Sequence, residues 1–289
     1  MIWAAGEDLA EPHLHAGNWI VASVRLACLA FALVFLVAGM LLARLIERPF
    51  VGRRRALSSW FPKGFSQVAL ALMGLRLHLH GQPMGQAGAV VANHSSWLDI
   101  FVLNARKRVF FVSKAEVARW PGIGFLARSA GTLFIRRDKR EARTQITQFE
   151  QRLRAGHRLL FFPEGTSTDS RRVLPFKSTL FAAFFTPELR DITWVQPVSV
   201  AYHAPKGAPA RYYGWWGDMA FGRSFLKVMG TLRQGHVTLV YHPPVRVADF
   251  PDRKALTQHC DRQVRAGLAD ALGITLAQAG AIDFANDAP

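Results

Sequence analysis

The sequence is poor in features that usually announce a function. It has two cysteines in 289 residues, Cys28 and Cys260, too few for a disulfide framework. Cys28 lies in an apolar run where packing is the expected role, and a reducing, cytosol-facing body fits. Acidic side chains are scarce as well, 20 against 36 basic ones, for a formal charge of +16. Such a surplus points to an anionic partner, either nucleic acid or the phosphates of a lipid surface. Familiar catalytic signatures are also missing. Without a G-x-S-x-G elbow, Ser95 and Ser96 are poor candidates for a hydrolase nucleophile. No H-E-x-x-H or Cys-His cluster marks a metal, and neither a P-loop nor a G-x-G-x-x-G is present. Internal repeats and low-complexity tracts are absent too. With 50% of its residues apolar the chain is not disordered, and its length suits one large domain or two small ones.

What the chain does have is a long greasy stretch. Leu26 to Ala43 runs for 18 residues without a charge, enough for about 27 Å of helix at ~1.5 Å per residue. This favours a membrane over nucleic acid as the anionic partner. Glu7, Asp8 and Glu11 precede it where a signal peptide would carry basic residues, so cleavage is not expected. Arg44, Arg48, Arg53, Arg54, Arg55 and Lys63 follow, which places the body of the protein on the cytoplasmic side by the positive-inside rule. The stretch is near the lower limit for a crossing, so a long buried or re-entrant helix is the alternative. A second apolar segment, Leu57 to Leu75, carries Trp60, Phe61 and Phe65 and suits either the headgroup region or an ordinary core helix. The chain thus divides into a polar leader (1–18), membrane-anchoring helices (19–75), one domain (76–275) and a tail (276–289).

Within the domain, strand-like and helix-like stretches alternate. Strands are expected at 75–80, 89–92, 109–112, 132–135, 159–162, 192–201 and 237–241, and helices at 98–103, 123–130, 139–154, 177–185 and 253–272. This pattern predicts an α/β fold with a mostly parallel central sheet flanked by helices. His78 and His80 share a strand face with no acidic or thiol partner nearby, so they are expected to face solvent rather than a metal.

Three polar corners follow predicted strands. In Asn93-His94-Ser95-Ser96-Trp97-Leu98-Asp99, a continuous helix would rotate His94 and Asp99 roughly 140° apart. His94 must therefore lie in the turn, with Asp99 in the first helical turn folding back toward it. A carboxylate so placed fixes one imidazole nitrogen and leaves the other to act as a base. Ser96-x-x-Asp99 is also a capping box, which would give Asp99 a purely structural duty. The second corner, Gly131 to Arg137, ends a strand with two guanidinium groups suited to a phosphate. In the third, Gly165 permits close approach to the backbone, Thr166 and Ser167 offer donors to an oxyanion, and Glu164 suits a substrate hydroxyl or an arginine. A base with no resident nucleophile implies an enzyme that activates a substrate hydroxyl directly.

Asn93-His94-x4-Asp99, Gly131-x-x-Phe134-Ile135-x-Arg137, Phe162-Pro163-Glu164-Gly165-Thr166 and Val195-x-Pro197-Val198 resemble the four ordered motifs of the glycerolipid acyltransferases, typified by 1-acylglycerol-3-phosphate acyltransferase. The resemblance spans roughly residues 76–246 and makes 76–275 an acyltransferase domain. It implies acyl transfer from acyl-CoA or acyl carrier protein to the hydroxyl of a lysolipid, with no cofactor, no metal and no nucleic acid. It assigns His94 as base and Asp99 as its orienting acid, Arg137 to the acceptor's anionic group, Glu164, Gly165 and Thr166 to the acceptor site, and Pro197 to the edge of the acyl channel. It also implies a bacterial inner membrane with the domain on its cytoplasmic side. Two positions depart from the pattern: Arg136 stands where an acid or Asn is frequent, and Ser167 where an arginine often follows Glu-Gly-Thr. The runs 166–169, 173–178 and Tyr213-Gly214-Trp215-Trp216-Gly217-Asp218-Met219 are similar to the branch that acylates lyso-ornithine lipid. A thioesterase, or a basic membrane-surface protein without catalysis, are the alternatives.

Overall fold

The computed structural model describes residues 16–51, 55–136 and 142–280. The expected leader falls almost wholly outside this range. The apolar stretch belongs to a 36-residue helix, α1 (Ala16–Val51), about 54 Å long at ~1.5 Å per residue. A shorter helix, α2 (Trp60–Met73), folds back against it. Only Ala22, Met40 and Glu47 of α1 are buried, and Phe31, Val34, Phe35, Leu42, Leu45 and Ile46 face outward.

Polar contacts fasten α1 to the body near both ends. Toward its start, Asn18 donates to the Gly230 carbonyl, and Arg25 donates to those of Met229 and Thr231. Toward its end, Glu47 accepts from the amides of Leu57 (2.7 Å) and Ser58 (3.2 Å) and from the Ser58 hydroxyl. Between them, Gly39 leaves room for the Phe61 ring. The helix therefore lies along the domain rather than projecting from it.

The rest is an α/β sandwich. In chain order come β1 (Arg76–His80), β2 (Gly88–Ala92), α3 (Asp99–Arg106), β3 (Phe110–Lys114), α4 (Ile123–Ala130), β4 (Leu133–Ile135), α5 (Ala142–Arg154), β5 (Arg158–Phe161), β6 (Trp194–His203), α6 (Phe221–Gly230), β7 (His236–Tyr241), β8 (Val245–Arg246) and α7 (Arg253–Leu272). The strands line up as β1-β7-β6-β2-β5-β3-β4, with β8 also paired to β6. All neighbours are parallel except β6 with β7 and β6 with β8. Strand alternation sorts the core into two layers. Val90, Ala92, Leu160, Val198, Val200 and Tyr202 pack toward α2, α3 and α6. Ala89, Val91, Leu159, Phe161 and Val195 pack toward α5 and α7.

Two elements differ from expectation. Residues 177–185 do not form an α-helix; a 3₁₀ turn, Phe181–Phe185, buries Phe181 and Phe184 on one side. Pro187 disfavours a helical Thr186, so the turn stops there. Helix α6 was not expected from the sequence, although Phe221, Phe225, Val228 and Met229 carry the helical period. His78 and His80 are exposed as expected, and His78 also stacks on His236 at 4.5 Å.

The α1–α2 junction rests on one buried carboxylate. Glu47→Ala strands two backbone amides and a hydroxyl away from water, and should cost roughly 2 to 4 kcal/mol. Thermal unfolding of the detergent-solubilised protein measures the loss.

Candidate active site

The parallel strands β2, β5, β3 and β4 end on one edge of the sheet, where ligands of such sheets usually bind. The first corner follows β2. Asn93 leaves the strand with its side chain clipped to β6: its amide donates to the Val200 carbonyl at 2.9 Å, and its oxygen accepts the Val200 N–H at 2.8 Å. The chain then turns, and α3 begins at Asp99 itself.

Asp99 is fully buried, and His94 keeps 21% of its side chain exposed. Nδ1 of the imidazole lies 2.7 Å from Asp99 Oδ2. The same oxygen accepts the amides of Ser95 (2.8 Å) and Ser96 (3.1 Å), while Oδ1 accepts the Tyr202 hydroxyl at 2.6 Å. Both expected duties of Asp99 are thus met by one carboxylate: it caps the turn and holds the histidine. With Nδ1 engaged by an acid, its proton sits there and Nε2 presents a lone pair. The Phe162 ring covers one imidazole face at 4.1 Å and 11°. That stacking covers one face, and the ring keeps part of its surface exposed.

The third corner meets the first. Gly165, at φ +75°, closes a tight turn in which its N–H donates to the Phe162 carbonyl. Glu164 turns inward and is almost completely buried. Its two oxygens accept the His94 amide (2.6 Å) and the Leu174 amide (2.8 Å). Burial pushes its carboxyl well above the usual range, with the two amides pulling the other way. Beyond it, the Thr168 amide donates to the His94 carbonyl at 2.9 Å. Glu164 is therefore a brace beneath His94; Gly165 and Thr166, half-exposed, are the members of this corner left at the surface.

Two expected residues remain, Arg137 and Pro197. Arg137 lies outside the described residues. Its neighbour Arg136 follows β4, three strands from β2 and so roughly 14 Å away at ~4.8 Å per strand. Pro197 is buried in mid-β6, registered with Val91 on the sheet layer facing away from Tyr202. Tyr202, Phe162 and Asn93 were not singled out as site residues in the sequence. No group of three or more His, Cys, Asp or Glu side chains suited to a metal occurs among the described residues.

This geometry can be set beside known proteins. A family profile described as Acyltransferase matches residues 76–200. The lyso-ornithine lipid O-acyltransferase of Rhodobacter capsulatus is 53% identical over 83% of this chain and 87% of that protein. The chain belongs to the acyltransferase family. A second relative, the lyso-ornithine lipid O-acyltransferase of Rhizobium meliloti, is 34% identical over 74% of this chain and 76% of that protein. The crystal structure of the 1-acyl-sn-glycerophosphate acyltransferase from Thermotoga maritima shares the fold, with a TM-score of 0.62 at 22% identity over 89% of this chain and 97% of that one. The resemblance read from the four motifs therefore holds, and the protein is an acyltransferase enzyme.

For this acyltransferase the brace under His94 yields a sharp expectation. Glu164→Gln keeps the shape but offers one acceptor oxygen to two buried amides. The stranded contact should cost ~1–3 kcal/mol, read as a lower melting temperature together with a fall in kcat.

Proposed function

We propose that this acyltransferase moves a fatty acyl group from a thioester, on acyl carrier protein or coenzyme A, to the hydroxyl of lyso-ornithine lipid at a membrane surface. The observation that carries the chemistry is the His94–Asp99 contact of 2.7 Å on a histidine that stays partly exposed. In this reading Nε2 takes the acceptor's hydroxyl proton as the oxygen attacks the thioester carbonyl. The tetrahedral adduct collapses, the carbon–sulfur bond breaks, and the departing thiolate receives the proton from the imidazolium. Asp99 stabilises that imidazolium without itself taking the proton. No group of the enzyme is acylated.

The choice of acceptor is supported by the names of the relatives at 53% and 34% identity. Ser167 in place of the arginine that often follows Glu-Gly-Thr points away from a phosphomonoester. Gly165 and Thr166 then border the acceptor, and Arg137 holds its anionic group. Pro197 stays in the reading only as packing behind the channel, since it is buried within β6.

Membrane attachment is supported by the outward row of Phe31, Val34, Phe35, Leu42, Leu45 and Ile46 on α1, joined by Trp60 of α2. Because α1 is tied to the body near both ends, its apolar side is suited to lie in one leaflet rather than to thread through both. The basic residues Arg44, Arg48 and Lys63 then meet anionic headgroups on the cytoplasmic face.

The test is incubation of the full chain with labelled acyl thioester and each lysolipid in separate mixed micelles. Labelled product with lyso-ornithine lipid, lost by a factor of about 10² to 10⁴ in His94→Ala, is the expected result. Product with 1-acylglycerol-3-phosphate alone replaces the acceptor, free fatty acid alone makes the protein a thioesterase, and near-normal turnover of His94→Ala removes the mechanism.

A further inference from the structure

The two oxygens of Asp99 are used differently. Oδ2 collects three nitrogen donors from the turn, and Oδ1 receives the Tyr202 hydroxyl. Tyr202 is only 1% exposed. Its arrival there is a property of β6, which pairs with the end of β2 at Val198 and then runs on to His203. Val198, Val200 and Tyr202 share one side of that strand by simple alternation, the side that faces α3. The overhang thus delivers a phenol to the buried side of the carboxylate.

The segment 213–219, similar in sequence to the lyso-ornithine branch, supports the same spot. Tyr213 packs against Tyr202 with ring centroids 5.5 Å apart, and its hydroxyl is held by Gln234 (2.7 Å) and the Gly235 amide (2.9 Å). The Trp215 amide donates to the Ser95 carbonyl at 2.9 Å. Gly214 presses so closely on Asp169 that a Cβ there would sit 2.8 Å from its carbonyl carbon. Tyr213, Gly214 and the Trp215 amide are thus scaffold behind the turn.

We propose that Tyr202 is a positioning residue that sets how strongly Asp99 holds the proton of His94. The proposal rests on the reading of His94 as base. A donor on Oδ1 draws charge from the carboxylate, so Oδ2 is a weaker counter-ion for the imidazolium and the ring returns more readily to its neutral, proton-accepting form. Burial, with the Asp99 charge beside it, pushes the Tyr202 hydroxyl well above the usual tyrosine range. It therefore remains a donor throughout the working pH range. Among the described residues, Glu164 after β5 and Tyr213 are ionisable groups whose charges reach this pair, and Arg265 of α7 acts on Glu164. None of these changes in a Tyr202→Phe protein.

The sign follows directly. Without the phenol, Oδ2 keeps more of its charge and pulls harder on the imidazolium. In Tyr202→Phe, the acid limb of kcat/KM should move up by about 0.5 to 1 pH unit, where one unit is a tenfold change in the proton equilibrium. The loss of rate should be greatest on the acid side and shrink as pH rises. Tyr213→Phe removes a hydroxyl from the neighbouring ring and should lower the melting temperature while leaving the limb in place. If Tyr202→Phe does not fold, 3-fluorotyrosine at position 202, a stronger donor of nearly the same shape, should move the limb down. An unmoved limb in the protein carrying either change at 202, or an equal shift in Tyr213→Phe, overturns the role given to Tyr202. Retained turnover in His94→Ala instead overturns the base on which the proposal rests.

Discussion

One buried negative charge organises the candidate active site of this molecule. Asp99 sits where an unpaired carboxylate would be prohibitively costly, and it is tolerated because four donors converge on it: the His94 ring, two backbone amides and the Tyr202 hydroxyl. Each donor comes at the end of a different constraint. The amides exist there only if the turn after β2 has its particular path, and the phenol only if β6, paired with β7, runs on past the end of β2. The charge therefore selects a backbone conformation as well as orienting a side chain, and folding of the corner and readiness of the histidine are the same event.

A second layer of polar contacts keeps that corner from drifting. Glu164 joins the His94 amide to the Leu174 amide. Two residues further on, Phe176 donates to Asp261, whose partner Arg265 also donates to the carbonyls of Val173 and Ala279. Both charges of the Asp261–Arg265 pair are nearly inaccessible. Such a pair contributes little net stability, but removing one partner leaves the other buried and unmet. The closing helix α7 and the segment reaching Gly280 are thereby coupled, through one loop, to the histidine turn. The Glu164 side chain, which the motif suggests for substrate contact, takes part in this coupling through both its oxygens.

Much of the architecture was legible because it obeys period. Strand alternation and the capped, amphipathic run of α7 gave boundaries within a residue or two, with Asp252 capping the helix at the Ala255 amide. The His94–Asp99 partnership was also readable, since five residues cannot bring two side chains together along a helix and must do so across a turn. Tyr202 was not readable, because its meeting with Asp99 spans 103 positions and depends on a strand overhang that no local pattern records. The inward direction of Glu164 was equally hidden. A Pro-Glu-Gly turn fixes where the Cα lies but not which side of the loop is solvent. The helical period of α6 was present and was obscured by the glycines and aromatics around it.

The fastening of α1 near both its ends carries a consequence for selectivity. A helix held by Arg25 toward one end and Glu47 toward the other keeps its flank in one orientation to the edge that carries His94. If its greasy flank floats at a set depth, the imidazole rides at a set altitude above the acyl chains. A hydroxyl borne on a fatty chain and one borne on a glycerol unit travel at different depths, so elevation alone would discriminate between them before any headgroup is recognised.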